Sequence, residues 1–161
     1  MQESTLSLAS KLGEILVSRQ KTISCAESCT GGGIAYAITS TSGSSGWFNR
    51  SFVTYSNQAK QDLLGVKAQT LEDFGAVSEQ TVLEMAIGTA AASNADIAIS
   101  VSGIAGPDGG SPDKPVGTVW FGFFVDGDIT TDIQVFTGDR HLVRAKAIDF
   151  ALDKMLQLIA K

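Results

Sequence analysis

Apolar positions recur at helical spacing near the start of the chain. Leu6, Leu8, Leu12, Ile15, Leu16 and Val17 predict a helix over about Ser4–Ser18. A short strand over about Thr22–Ala26 follows, then a helix over about Gly32–Thr39 that a serine- and glycine-rich run, Ser40–Gly46, brings to an end. Phe52–Tyr55 reads as a second strand. Ser56 or Asn57 can cap the next helix, which carries Ala59, Lys60, Leu63 and Leu64 and stops at Gly65. Ser78 caps a longer helix with Val82, Met85, Ala86 and Ala90 on one face. Ile97–Ser102 is a near-continuous run of small and apolar residues, which suits a strand buried on both faces. A glycine- and proline-rich loop spans Gly103–Pro115. Thr118–Val125 and Ile129–Phe136 then form strands joined by an Asp126-Gly127-Asp128 hairpin signal, and a helix over about Asp139–Ala160 closes the chain.

The predicted order is α-β-α-β-α-α-β-β-β-α. Early alternation implies parallel strands, and the late hairpin adds an antiparallel member, so the fold class is α/β: a mixed five-stranded sheet with helices on both faces. No repeat, linker or low-complexity run interrupts the 161 residues, which read as a single domain over 1–161. A chain of that length can bury about 70% of its unfolded surface without disulfides or metals.

Composition narrows the function classes. Hydrophobic residues make up 43% and charged residues 18%, as in a globular protein rather than a disordered one. The net charge of −5 and the absence of any Lys/Arg-rich run argue against nucleic-acid binding. A small anionic substrate needs only a few local cations and stays open. No stretch nears the ~20 apolar residues of a membrane span, and the first residues lack the pattern of a signal peptide. The two cysteines, Cys25 and Cys29, are too few for a disulfide framework and read as free thiols. A cytoplasmic location is the expectation.

Conventional catalytic equipment is scarce. The one histidine, His141, lies in the first turn of the last helix, and no metal-ligand cluster is visible. The segment Glu27-Ser28-Cys29-Thr30-Gly31-Gly32 instead sits where a strand turns into a helix. The first N–H groups of a helix lack intrahelical partners, so this end favours a developing negative oxygen. On pattern alone Ser28 is either a helix cap or a nucleophile. A serine without histidine needs another base, and lysine serves when burial lowers its pKa. Lys60 stands five residues after Tyr55. If the first two strands are parallel, Ser28, Tyr55 and Lys60 share the C-terminal edge of the sheet, where ligands of open α/β sheets gather. The loop after the third strand would reach the same edge, and its glycines can bring N–H groups against an anion. Arg140 and Lys114 are the cations nearest to such a site in the pattern.

Several blocks together resemble the CinA C-terminal domain family. They are Ala26–Gly32, Phe52–Asn57 with Lys60, Gly75–Ser78, Ser102–Gly110 and Lys114–Val119, and the likeness runs from about residue 5 to the end. The resemblance implies a three-layer α/β/α sandwich with sheet order 2-1-3-4-5 and strand 4 antiparallel. It implies an amidohydrolase converting nicotinamide mononucleotide to nicotinate mononucleotide and ammonia, within pyridine-nucleotide recycling. The family's serine, lysine and assisting tyrosine match Ser28, Lys60 and Tyr55. Thr30, Gly31 and Gly32 would surround the oxyanion, and Ser102, Gly103, Ala105, Gly106, Gly109 and Gly110, with Arg140 or Lys114, would hold ribose and phosphate. No metal or organic cofactor is implied. The alternatives are an inactive nucleotide-binding module and a cysteine hydrolase using Cys29. The hairpin strand at the sheet edge could pair two copies, making a homodimer an expectation.

Overall fold

The computed structural model describes residues 1–161. The chain runs α1 (Glu3–Arg19), β1 (Ile23–Glu27), α2 (Gly33–Thr39), a single 3₁₀ turn (Ser44–Gly46), β2 (Phe52–Val53), α3 (Asn57–Leu64), α4 (Ala68–Phe74), α5 (Glu79–Ser93), β3 (Ile97–Gly103), β4 (Thr118–Val125), β5 (Asp128–Val135) and α6 (Arg140–Ile159). The five strands form one sheet in the order β2-β1-β3-β4-β5. β1 is parallel to β2 and β3, and β4 is antiparallel to both of its neighbours. This is the expected mixed sheet, and β5 consequently runs the same way as β3.

Strand periodicity decides what each face carries, because successive side chains point to opposite sides. Cys25, Ile99, Val101, Phe121 and Phe123 join α1, α2 and α6 in the larger core, a cluster of 23 buried residues. Ala26 points the other way, into a smaller cluster with Leu64, Val66, Leu71, Val82 and Met85 from the α3–α5 side. Helices therefore cover both faces, and β1 is buried along its whole length. The predicted β4–β5 hairpin closes in a two-residue turn, one residue shorter than the Asp126-Gly127-Asp128 signal, with Asp126 and Gly127 both at positive φ, as a twist-compatible hairpin requires.

Two elements depart from the periodicity. α4 lies in a stretch that reads as a connection, because its seven residues bury only Thr70 and Leu71 and leave no periodic stripe to detect. β2 stops at Val53 rather than Tyr55. The Thr54 N–H still donates to the Glu27 carbonyl (2.9 Å), but the carbonyls of Thr54 and Tyr55 leave the ladder and accept from a side chain on α3. α3 is drawn unusually close to α5. A Cβ on Gly88 would stand 1.9 Å from the Leu64 carbonyl oxygen, so only glycine allows that approach.

Candidate active site

The alternation that sends Cys25 and Glu27 toward α2 sends Ala26 and Ser28 toward α3. The Ser28 N–H donates to the Val101 carbonyl (3.0 Å), which carries the β1–β3 pairing one residue beyond the strand. The register pairs Ala26 with Ser100 and Glu27 with Val101, so Ser102 is the next residue beside Ser28 on the same face. Both serines sit at the C-terminal edge, nearly shut off from solvent at 8% and 1% exposure.

Lys60 meets Ser28 from the first turns of α3. Ser56 caps that helix by accepting from the Ala59 N–H (3.0 Å), which fixes where the lysine leaves the helix. Lys60 is 1% exposed and no carboxylate pairs with it. Its Nζ lies 3.1 Å from Ser28 Oγ, 2.8 Å from the Thr54 carbonyl and 3.4 Å from the Tyr55 carbonyl. Burial without a counter-charge penalises the ammonium and lowers the pKa to about 8. An amine at that value is partly neutral near physiological pH, and a neutral amine can accept a proton.

The turn after Ser28 is braced from two sides. The Glu27 side chain is fully buried and accepts from the Thr30 hydroxyl (2.6 Å), the Ile34 N–H (2.8 Å) and the Ala35 N–H (3.1 Å). Its carboxylate thus occupies the N-terminus of α2, which sequence reasoning had left open for a developing oxyanion. The signal for it was present: the alternation about β1 places Glu27 on the α2 side, and a buried acid there needs a partner such as a helix N-terminus. On the outer side, Arg144 donates to the carbonyls of Cys29 (3.1 Å) and Thr30 (3.4 Å). Pattern reading missed Arg144 as well.

Of the turn's own amides, Gly31 N–H donates to Ser28 and Gly33 N–H to Thr30. The N–H groups of Cys29, Thr30 and Gly32 have no protein acceptor and are the donors that remain. Gly31 and Gly32 adopt positive φ, 58° and 101°, which makes this tight return possible. The Cys29 side chain packs into the larger core, 6% exposed, and burial pushes its thiol up to about 12. Burial also pushes the Cys25 thiol well above its ordinary value. Neither thiol has the electropositive, accessible setting of a reactive cysteine.

The residues nominated in the 103–110 loop separate into two kinds. Gly103 lies against Val119, and Gly106 and Gly110 make room for Val116, so close packing requires their small size. Ala105 turns its side chain into the larger core. Gly109, at φ 94°, is exposed, and a Cβ there would meet only the Ile104 side chain at 3.5 Å. The N–H groups of Ala105, Gly106, Gly109 and Gly110 donate to no protein acceptor. Whatever this loop offers a ligand comes from its main chain.

Arg140, at the start of α6, donates to the Gly106 carbonyl (2.8 Å) and to the Tyr55 hydroxyl (3.3 Å). The Tyr55 ring is 61% exposed, and its carbonyl, not its hydroxyl, meets Lys60. Lys114 turns away to the Phe74 carbonyl (2.8 Å) on the α4 side. His141 is exposed and borders, with Arg144 and the glycine turn, an open depression of about 450 Å³. No three His, Cys, Asp or Glu side chains come together as a metal-binding group. No helix is long and apolar enough to cross a membrane.

The serine turn, the buried lysine and the glycine loop all occur within a stretch that the CinA C-terminal domain model matches, residues 5–159. The chain belongs to the CinA C-terminal domain family. It is 57% identical over 155 residues to the nicotinamide-nucleotide amidohydrolase PncC of Enterobacter agglomerans, covering 96% of this chain and 94% of that one. It is 52% identical over 153 residues to the protein of the same name from Escherichia coli, covering 94% and 93%. The crystal structure of the competence/damage inducible protein CihA from Agrobacterium tumefaciens matches with a TM-score of 0.95 at 40% identity, covering 100% of this chain and 98% of that one. In this CinA-family chain the sheet order and the strand directions agree with what the sequence resemblance implies.

Proposed function

We propose that this chain is a single-domain amidohydrolase that deamidates nicotinamide mononucleotide to nicotinate mononucleotide and ammonia, in pyridine-nucleotide recycling. The observation that carries the reading is the buried Lys60 Nζ 3.1 Å from Ser28 Oγ with no carboxylate to hold its charge. The near full-length likeness to the two PncC proteins supports the substrate.

In the neutral state Lys60 has two N–H donors and one lone pair. The carbonyls of Thr54 and Tyr55 take the two donors, which leaves the lone pair for the Ser28 hydroxyl. Ser28 Oγ attacks the carboxamide carbon and its proton passes to Lys60. The remaining amides of Thr30 and Gly32 hold the tetrahedral oxygen; loss of one such donor typically costs about 10²–10³ in rate. Lys60 returns the proton, by way of Tyr55, to the nitrogen that leaves as ammonia. Water then attacks the acyl-serine, gives its proton to Lys60 and releases the acid, and the proton goes back to Ser28 Oγ. Atoms and protons balance over the cycle without metal or organic cofactor.

The main-chain donors of the 105–110 loop and the Arg140 guanidinium supply the ribose and phosphate contacts, with Ser102 beside the reacting serine. Lys114, committed to Phe74, is not part of this set. The two buried free thiols suit a reducing cytoplasm. β5 is an edge strand with Ile133 and Val135 exposed, which fits pairing of two copies, and light scattering at dimer mass tests it.

The deciding assay is ammonia release from nicotinamide mononucleotide, compared with the riboside and free nicotinamide. Robust release from the nucleotide that disappears in Ser28→Ala is the expected result. No release from a folded, pure protein refutes the reading.

A further inference from the structure

The position of Arg140 has a consequence for access. β1 lies between β2 and β3 in the sheet. Tyr55 follows β2, Gly106 follows β3, and Ser28 stands at the end of β1 between them. The chain of contacts from the Tyr55 hydroxyl through the Arg140 guanidinium to the Gly106 carbonyl therefore spans the end of β1. It crosses above a serine that is 8% exposed and a lysine that is 1% exposed. So little exposure leaves a carboxamide scant approach to Ser28 Oγ in the free protein.

Both partners of Arg140 are neutral oxygens, and no carboxylate pairs with it. A phosphate dianion offers the guanidinium charge-assisted, bidentate hydrogen bonds that are roughly twice as strong as neutral ones. A bound 5′-phosphate would therefore outcompete the carbonyl and the phenol for the same N–H groups. Tyr55 would lose the one hydrogen bond that holds its hydroxyl outward. Its carbonyl already lies 3.4 Å from Lys60 Nζ, and a released phenol is free to change its staggered χ1 rotamer.

We propose that Arg140 is a specificity-determining latch. In the free protein it straps Tyr55 to the 103–117 loop across Ser28, and a substrate phosphate releases the strap and frees Tyr55 for the Ser28–Lys60 pair. The inference rests on the amidohydrolase reading. It goes further by making the phosphate a condition for turnover rather than an added handle. Binding energy from a part of the substrate that does not react is converted into assembly of the site, so removing the phosphate lowers kcat as well as raising KM.

Phosphite dianion, supplied in solution with nicotinamide riboside, separates the two roles. The expected result is saturable activation of riboside deamidation, roughly 5- to 150-fold, the range of typical coupling between two ligands. Arg140→Ala should abolish the response to phosphite and raise KM for the nucleotide while leaving its kcat within a few-fold, because the strap no longer has to be released. It should also raise the riboside rate measured without phosphite, because the strap is gone. Arg140 is exposed, so its removal leaves the core intact. An arginine that only binds phosphate would leave the basal riboside rate unchanged. An unchanged or lower riboside rate in Arg140→Ala, or no activation by phosphite, overturns the latch. Nucleotide turnover in the unsubstituted protein is the control: if it is absent, the amidohydrolase reading fails, and if it is present, only the latch is at stake.

Discussion

Lys60 and Arg140 are two cations at the same edge of one sheet, and their surroundings could hardly differ more. Lys60 sits on the floor of the crevice, dry, with two main-chain carbonyls and a serine around its nitrogen. Arg140 sits on the rim, wet, bridging a phenol and a loop carbonyl. A lysine can surrender its charge when water is withdrawn, whereas a guanidinium keeps it at any pH a protein survives. In the proposed reaction the floor therefore holds the group whose charge would change during a proton transfer. The rim holds the group whose charge would stay fixed while it recognised an anion.

The sharpest way to break this contrast is to put a permanent charge on the floor. Lys60→Arg should lose nucleotide deamidation by on the order of 10⁴–10⁶-fold, as should Ser28→Ala, since members of one catalytic unit fail together. Residual turnover within tenfold in either variant would mean that the reaction runs elsewhere.

The pH dependence is the next largest effect. The proposed mechanism uses the neutral amine of Lys60, so kcat/KM should rise by roughly tenfold per pH unit below about 8 and level off above it. A profile flat from pH 6 to 9 contradicts the assignment. Stability follows the same group with a defined sign. Between about 8 and the ordinary 10.5, the unfolded chain holds a proton on Lys60 that the folded chain does not, so stability rises with pH across that window. Relative to Lys60→Met, the unsubstituted protein should gain on the order of 2 kcal/mol across it, read from denaturant titrations.

Glu27→Gln sharpens the contrast from the supporting side. An amide directed at the N–H groups of Ile34 and Ala35 presents a donor where an acceptor is required. A loss of about 1–3 kcal/mol in unfolding free energy is expected, together with lower turnover as the Ser28 turn loosens. Cys29→Ala should have the smallest effect, with turnover within about twofold, because that thiol is buried, protonated and turned into the core. A collapse of activity there would revive the cysteine as a nucleophile.

The strands, their order and the meeting of Ser28 with Lys60 are legible in the sequence because they follow from alternation, turn residues and motif spacing. The bracing of the site is not legible in the same way. Glu27 reads as one more polar residue beside a motif until the strand's facing is known, and Arg144 reads as a surface cation 115 positions away from the carbonyl it holds. Tyr55 lies at the expected edge, but the direction of its hydroxyl depends on an arginine from the far end of the chain. Loop glycines are ambiguous by nature. Gly106 and Gly110 read as ligand contacts in the sequence, and in the structure their missing side chains make room for Val116 while their N–H groups stay without a protein acceptor.

The closeness of α3 to α5 gives the site a tolerance, in the engineer's sense, that is set by a missing atom. Gly88 touches the main chain of Leu64, four residues along α3 from Lys60, and it makes no contact with substrate in any reading of the site. A methyl group added there would push the helix outward and carry the lysine with it. Misplacement by about 1 Å can cost on the order of 10²-fold in rate. The working geometry of the crevice is thus specified partly on the far side of a helix, at a position that a search confined to the crevice would pass over.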